Sequence, residues 1–423
     1  MQIFASIFDG FLAALRMARR TRCSCIQSRH RSALPLCALP CSLIVAFLFT
    51  GCRPHDFPTY PAKYREYAYV TNGGSNTVTV LDVVNLRQDR MLRVGNNPTG
   101  VAINPKRNEV YVVNSGSGSV SVINAEKNIV VATIPVHQKP YFISVAPDGE
   151  RAYVANSGSN NVSVINLDKR REIAAIGVGE APGYAQVSPD GRTLVVSNRL
   201  GNSVSVIDAI TLRVRSVFQG CPGATDIVIL PHSNKVFIAC SGGHQVMVLA
   251  LATPPSASPK NATTQNGTSI QTKDALLALL DVGKTPVHLA MKPDSGEIFV
   301  SNFDSDSISE IATGTNEVGG MYMVGEHPSS GIVSADNSIL YISNFDSASI
   351  GVFSVDTARL VGTARAGDGP DALAFSAAGN LLFAVDSRSD DVAVIRTSQN
   401  SLFTMLPTGS KPNDIADKAF LLR

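Results

Sequence analysis

The chain has 423 residues, a formal net charge of +2, 17% charged residues and no tryptophan. That length accommodates two or three ordinary domains or one large repeat array. No basic stripe or aromatic–arginine platform runs along it, which argues against a nucleic-acid partner, and its frequent Gly, Pro, Val, Ile, Ser and Asn favour many short strands over helices.

The N-terminal segment reads as an export signal. Arg19, Arg20, Arg22, Arg29 and Arg31 precede an apolar stretch that is uninterrupted over residues 43–49. Basic residues hold the start of a signal on the cytoplasmic side while the apolar run enters the translocon. The segment ends in Leu48-Phe49-Thr50-Gly51-Cys52 and resembles a bacterial lipobox, with Phe49 where leucine is usual. It predicts a signal peptide over 1–51, acylation of Cys52 and a tether over 52–65. The mature protein is then expected at the cell envelope, on the outer membrane or the periplasmic face. An uncleaved anchor over 33–51, long enough to span a bilayer, and plain secretion are the alternatives, and Met17 is a second candidate start. Removing 1–51 leaves 30 basic against 33 acidic residues, a nearly neutral body. It also reduces seven cysteines to Cys52, Cys221 and Cys240, with no Cys-x-x-Cys pair for zinc or redox chemistry and no Cys-x-x-Cys-His for haem attachment.

A 42-residue repeat follows. Tyr69-Val70-Thr71-Asn72 recurs as Tyr111-Val112-Val113-Asn114, Tyr153-Val154-Ala155-Asn156, Val195-Val196-Ser197-Asn198 and Phe237-Ile238-Ala239-Cys240. After a 62-residue step come Phe299-Val300-Ser301-Asn302, Tyr341-Ile342-Ser343-Asn344 and Phe383-Ala384-Val385-Asp386. Pro98, Pro140, Pro182, Pro286, Pro328, Pro370 and Pro412 keep the same phase, with Ala224 in the remaining slot. Gly95, Gly179, Gly283, Gly325, Gly367 and Gly409 precede them by three residues, with His137 and Cys221 as exceptions. In the second unit, strands are predicted over 100–104, 110–114, 119–124 and 129–136, each with the period of two of a pleated strand. One such sheet cannot bury both apolar faces; radial stacking of copies can.

The Tyr-Val-Thr-Asn anchor, the Gly-x-x-Pro link and the Pro147-Asp148-Gly149 and Pro189-Asp190-Gly191 turns resemble the YVTN β-propeller repeat family. The resemblance implies an all-β, WD-like architecture, a single propeller over 66–418; the eight phased slots make eight four-stranded blades, seven with one divergent unit packed outside being the alternative, and a tail follows over 419–423. It also implies an exported, surface-associated protein. The first unit lacks an innermost strand, and the orphan segment 409–416 has the form of one, so it is expected to complete blade 1 by 3+1 closure. An insertion over 252–272, rich in Pro, Ser, Thr and Asn, is read as a surface excursion.

In propellers the blade-to-blade links share one face around the channel with the loops between second and third strands. Two residues past the phased proline, at the channel mouth, stand Gly100, Phe142, Tyr184, Asp226, His288, Ser330, Ala372 and Asp414. Phe142, Tyr184, Asp226, His288 and Asp414 are the ligand-binding candidates; the competing reading is a rim whose side chains bond adjacent backbone. His137, His244 and His327 lie on neighbouring loops without forming a metal cluster. The absence of Trp argues against a pyrroloquinoline-quinone dehydrogenase. Phe303 and Phe345, each followed by Asp-Ser, form an aromatic pair that a partner could use, or record a recent duplication.

Cys221 and Cys240, in the Gly and Asn slots of the fifth unit, should reach the same face of its first hairpin. Cys240 is expected opposite about Thr225, so a disulfide, favoured by an oxidising compartment, needs the Cys221-Pro222-Gly223 link to fold back. The expected function is a non-catalytic binding or scaffold module for a protein, a glycan or a small ligand, with no cofactor and no catalytic residue predicted. The alternative is an enzyme or cofactor accessory, lactonase-like or metal-binding, that uses the channel mouth.

Overall fold

A computed structural model describes residues 58–252 and 273–422. The signal segment, Cys52 and residues 253–272 of the insertion lie outside them. The described residues form 32 strands, β1–β32 in chain order, arranged as eight antiparallel four-stranded sheets. The protein is an eight-bladed β-propeller. Among the described residues no helix is long and apolar enough to cross a membrane.

Blade 2 shows how the repeat folds. Its strands β4 (Pro98–Ile103), β5 (Glu109–Asn114), β6 (Ser119–Asn124) and β7 (Ile129–Pro135) run from the channel outward. The two middle strands are buried on both faces because neighbouring blades cover both. Tyr111, Val113, Val120, Val122 and Ile134 thus share one core with Ile143, Ala152, Val154, Ile165 and Leu167 of blade 3. The outermost strand alternates exposed and covered residues, as an edge facing water on one side should.

The anchor residues hold blades together by hydrogen bonds. Buried Asn114 donates through Nδ2 to Ser119 Oγ (3.1 Å) and Ser121 Oγ (3.0 Å), and its Oδ1 accepts from the Gly95 N–H (3.1 Å). The same donations to positions five and seven residues on recur at Asn72, Asn198 and Asn302. The anchor tyrosine bridges blades: Tyr69 Oη donates to Asn128 Oδ1 and Tyr341 Oη to Asn400 Oδ1, both at 2.6 Å. Those two asparagines sit in left-handed turns, at φ 51° and 49°. The link glycine is required by contact. A Cβ at Gly179 would lie 2.6 Å from the Asn198 side chain, and one at Gly325 would strike that of Asn344.

Blade 5 replaces that Gly–Asn contact with a covalent bond. Cys221 and Cys240 form a disulfide with Cα atoms 4.8 Å apart. Cys240 pairs with Ala224, not with Thr225 as the sequence suggested, because the ladder shifts between Ala224 and Ile227. That shift, with Gly223 at φ 62°, folds the link back toward strand β17 (Lys235–Cys240). Reduction is expected to lower stability by about 3 kcal/mol, the loop-closure value for a separation of this size. Cys221→Gly with Cys240→Asn, which restores the pair found in other blades, should cost less than Cys240→Ala alone. Chemical denaturation of the variants, with and without reductant, checks both expectations.

The ring closes in the 3+1 manner. The last strand, β32 (Pro412–Leu421), pairs antiparallel with β1 (Tyr64–Asn72), placing Ile415 opposite Val70. The sheet order is β3-β2-β1-β32, with β2 (Thr77–Asp82) and β3 (Arg87–Arg93) outside.

Candidate functional site

Each innermost strand starts at the phased proline, or at Ala224 in blade 5, and the preceding residue is left-handed: Asn97, Lys139, Ala181, Gly223, Thr285, His327, Gly369 and Lys411 all have positive φ. The chain therefore turns sharply into the channel, and the next two side chains are delivered to its mouth. A cavity of about 450 Å³ opens there. Phe142, Tyr184, His288 and Asp414 line it, together with Tyr141, Arg199 and Asp371.

One wall is aromatic. The Phe142 and Tyr184 rings lie 4.3 Å apart, Tyr141 stands edge-on to Tyr184 at 6.3 Å, and the Arg199 guanidinium sits 5.2 Å over Tyr141. The opposite side is small and acidic, with Ala372, Ser330, Asp371 and Asp414. Gly100 marks a close approach of backbones beside it: a Cβ there would lie 3.1 Å from the Tyr141 carbonyl oxygen of blade 3. Burial pushes the Asp414 carboxyl up to about 7, aided by Asp371 and opposed by the Val101 and Ile415 N–H groups. Burial also raises Asp371, against the pull of the Ser329 hydroxyl and His288. Tyr184 is held protonated by burial and by the nearby Asp226, Asp414 and Asp371 carboxyls.

The polar residues singled out in the sequence share one structural role. Asp226 Oδ1 accepts from the Ile227 N–H and its Oδ2 from the Leu289 N–H of the next blade, at 2.8 and 2.9 Å. Asp414 does the same with Ile415 and with Val101 of blade 2, both at 2.9 Å. His288 Nδ1 accepts from the Gly331 N–H of blade 7 at 3.2 Å. Its Nε2 faces Asp226 Oδ2 at 3.7 Å. All three side chains brace adjacent innermost strands. Asp226 lies behind the cavity lining, whereas His288 and Asp414 reach it.

The three histidines on the neighbouring loops also have partners of their own. His137 Nε2 lies 3.2 Å from Glu172, His244 Nδ1 accepts from the Thr285 N–H, and His327 bonds Asp346 while stacking on Phe303 at 4.5 Å. Among the described residues no three His, Cys, Asp or Glu side chains converge on a point. Phe303 and Phe345 are 6.3 Å apart, and Arg388 lies over Phe345 at 4.3 Å while bonding Asp346. This forms a ledge beside the cavity, which Phe303 also lines.

Asp371 and Arg199 escaped the sequence reading. Asp371 is the acid among Thr99, Tyr141, Gly183, Thr225, Val287, Ser329 and Asn413, one residue past the proline slot. Arg199 occupies the slot after the anchor, where Ser115, Ser157, Ser241 and Ser387 stand elsewhere.

A family model described as "Lactonase, 7-bladed beta-propeller" matches residues 322–406, from the outer strand of blade 6 to that of blade 8. No curated protein matches the chain. Many solved structures resemble its fold, among them the following three. The dihydro-heme d1 dehydrogenase NirN, solved in complex with DHE, is 15% identical with a TM-score of 0.67, over 86% of this chain and 77% of that one. Apo AztD from Citrobacter koseri is 12% identical with a TM-score of 0.62, over 84% and 98%. A putative 6-phosphogluconolactonase from Bacteroides uniformis is 16% identical with a TM-score of 0.57, over 84% and 100%. At these identities the likeness is one of fold.

Proposed function

We propose that this protein is an exported, lipid-anchored propeller of the YVTN-repeat type that holds a small ligand at its channel mouth without transforming it. One observation carries the reading. The side chains a hydrolytic or metal-assisted mechanism would need, Asp226, His288 and Asp414, each accept a hydrogen bond from the next blade's backbone. What remains at the mouth is a preformed cavity with an aromatic wall and an acidic floor, which is the construction of a binding site. The basic, apolar and small-residue order before Cys52 supports the envelope location.

A lactonase-like reaction is the second reading. It is favoured by the family match over 322–406 and by Asp414, whose raised carboxyl lies in the range suited to a general base. Against it, both Asp414 oxygens already accept N–H groups. A phosphorylated lactone, the substrate class in the name of the Bacteroides protein, would also meet Asp371 and Asp414 with Arg199 as its counter-charge. A metal-bearing cofactor would find one imidazole at the mouth, His288, with Nδ1 already engaged.

Native mass spectrometry of protein extracted from its own envelope tests the proposal. The expected spectrum shows a chain starting at an acylated Cys52, with a non-covalent small molecule that the Tyr184→Ala variant loses. An unacylated chain, or a bound molecule retained by Tyr184→Ala, contradicts the corresponding half of the proposal. Acid release from a lactone by wild type but not by Asp414→Asn would establish the second reading instead.

A further inference from the structure

The lining of the channel mouth is unbalanced in hydrogen-bond capacity. Its small polar side chains direct their hydrogens into the frame: Thr99 Oγ1 donates to Tyr141 O (3.1 Å), Thr225 Oγ1 to Ala239 O (3.3 Å), and Asn413 Nδ2 to Pro98 O (2.9 Å). The two carboxyls, Asp371 and Asp414, bring negative charge to that lining: both Asp414 oxygens already accept N–H groups, which leaves Asp371 as its acceptor, and the charge on Asp371 raises Asp414. Facing them is the aromatic wall of Phe142 and Tyr184, whose ring faces carry negative potential. The protein's own cation already uses the outer part of that wall, since Arg199 rests over Tyr141 at 5.2 Å. Among the described residues no cation lies over the inner rings in this way, and the small residues Ser330 and Ala372 leave room beside them.

From this juxtaposition of an acidic floor and an aromatic wall, we propose that the ligand of the channel mouth is an organic cation: a protonated or quaternary amine on a flat apolar body. The cation sits between Asp371 and the face of Tyr184, and the apolar body lies along Phe142 toward Phe303. The inference rests on the reading of the mouth as a binding site and adds the chemistry of what it takes. It sets this site apart from one built for a sugar phosphate or another anion, which the same floor would repel. The charges of Asp226, Asp371 and Asp414 all act on the Tyr184 hydroxyl, while the basic group at the rim, Arg199, is engaged on Tyr141.

Three probes of one shape test it: 4-hydroxyphenyltrimethylammonium, its neutral isostere 4-tert-butylphenol, and the anion 4-hydroxybenzenesulfonate. Their affinities are compared by ligand-observed magnetic resonance titration at pH 8 on the mature propeller. The cation should bind at least tenfold more tightly than the isostere, and the sulfonate should not bind. Asp371→Asn should remove most of the preference for the cation, and Tyr184→Ala should remove cation binding. The wild-type comparison needs no variant, so a folding defect in either substitution leaves the test intact. Equal affinity for cation and isostere, with both lost in Tyr184→Ala, overturns the organic-cation assignment and leaves the binding site standing. Cation binding that Tyr184→Ala does not weaken overturns both.

Discussion

Removal of residues 412–423 is expected to abolish the folded ring, with loss of cooperative melting and a shift to aggregated species on size exclusion. β32 pairs with β1 from Tyr64 to Asn72 and fastens blade 1 to both neighbours. Asp414 accepts from Val101, Asn413 Nδ2 donates to Pro98 O, and buried Lys418 Nζ donates to Asn104 O at 2.7 Å, all three in blade 2. Ile415 packs with Ala68, Val70, Phe383 and Val385, joining blade 1 to blade 8. Without this strand β1 presents a bare inner edge, and the apolar faces of two blades open to water. The loss, on the order of 5 kcal/mol or more, is comparable with the whole stability of a typical domain. Ile415→Ala removes apolar contact alone and should cost about 2–4 kcal/mol with the ring still closed. A truncated protein that melts within a few degrees of the full chain would contradict the closure.

Stability should also fall as pH rises from about 5 to 8, because buried carboxyls, Asp386 and Asp417 foremost with Asp414 beside them, are favoured in the protonated form. Asp386 occupies the anchor slot that holds asparagine in six other blades, and it is fully buried. Its partner positions are Asp391, where Asn114 and Asn198 meet a serine, and Ala393, whose N–H bonds Asp386 Oδ2 at 3.1 Å. Burial pushes Asp386 up to about 8, with Asp391 adding to the rise and the Gly367 and Ala393 N–H groups opposing it. At the closing pair, burial raises Asp417 to about 8, with the charge and hydrogen bond of Glu66 adding to it. Glu66 itself is anchored by the Ala377 N–H (2.7 Å) and Tyr64 Oη (2.6 Å).

A carboxyl whose folded value is raised stabilises the fold fully below the ordinary carboxylate range, near 4, and loses that contribution as pH climbs to the folded value. Each group therefore removes up to about 1.4 kcal/mol per pH unit across that window. Asp386→Asn restores the amide, which can donate to Asp391. It should raise the melting temperature at pH 8 and flatten its decline between pH 5 and 8. An unchanged slope in Asp386→Asn would exclude Asp386 as a source of the decline.

The ring and its closure were legible because the signals that encode them are imposed by the backbone. A proline that cannot donate, a glycine whose Cβ would strike an asparagine, and an asparagine satisfying two hydroxyls must recur in phase wherever the blade recurs. The Cys221–Cys240 contact was only partly legible. The sequence placed both residues in the right slots but not in register, because the ladder slips beside Ala224. The channel mouth was the hardest part to read, for a related reason. The innermost strands carry a register shift just after the proline, as between Pro98 and Gly100 or between Pro286 and His288. Such a bulge breaks the period of two. Side chains one and two residues past the proline then both reach the cavity, and a reading that followed one slot found Tyr184 and His288 but passed over Asp371. It also could not foresee that Asp226 would turn behind the lining to cap the Leu289 N–H.

The most direct test of a ligand-holding channel mouth is an experimental structure of the protein purified from its own envelope with nothing added. The account predicts density for a compact organic molecule between the Tyr184 ring and the Asp371 carboxyl. A solvent-filled mouth, with an ordered molecule bound instead on the opposite face near Tyr341 and Phe375, would contradict it.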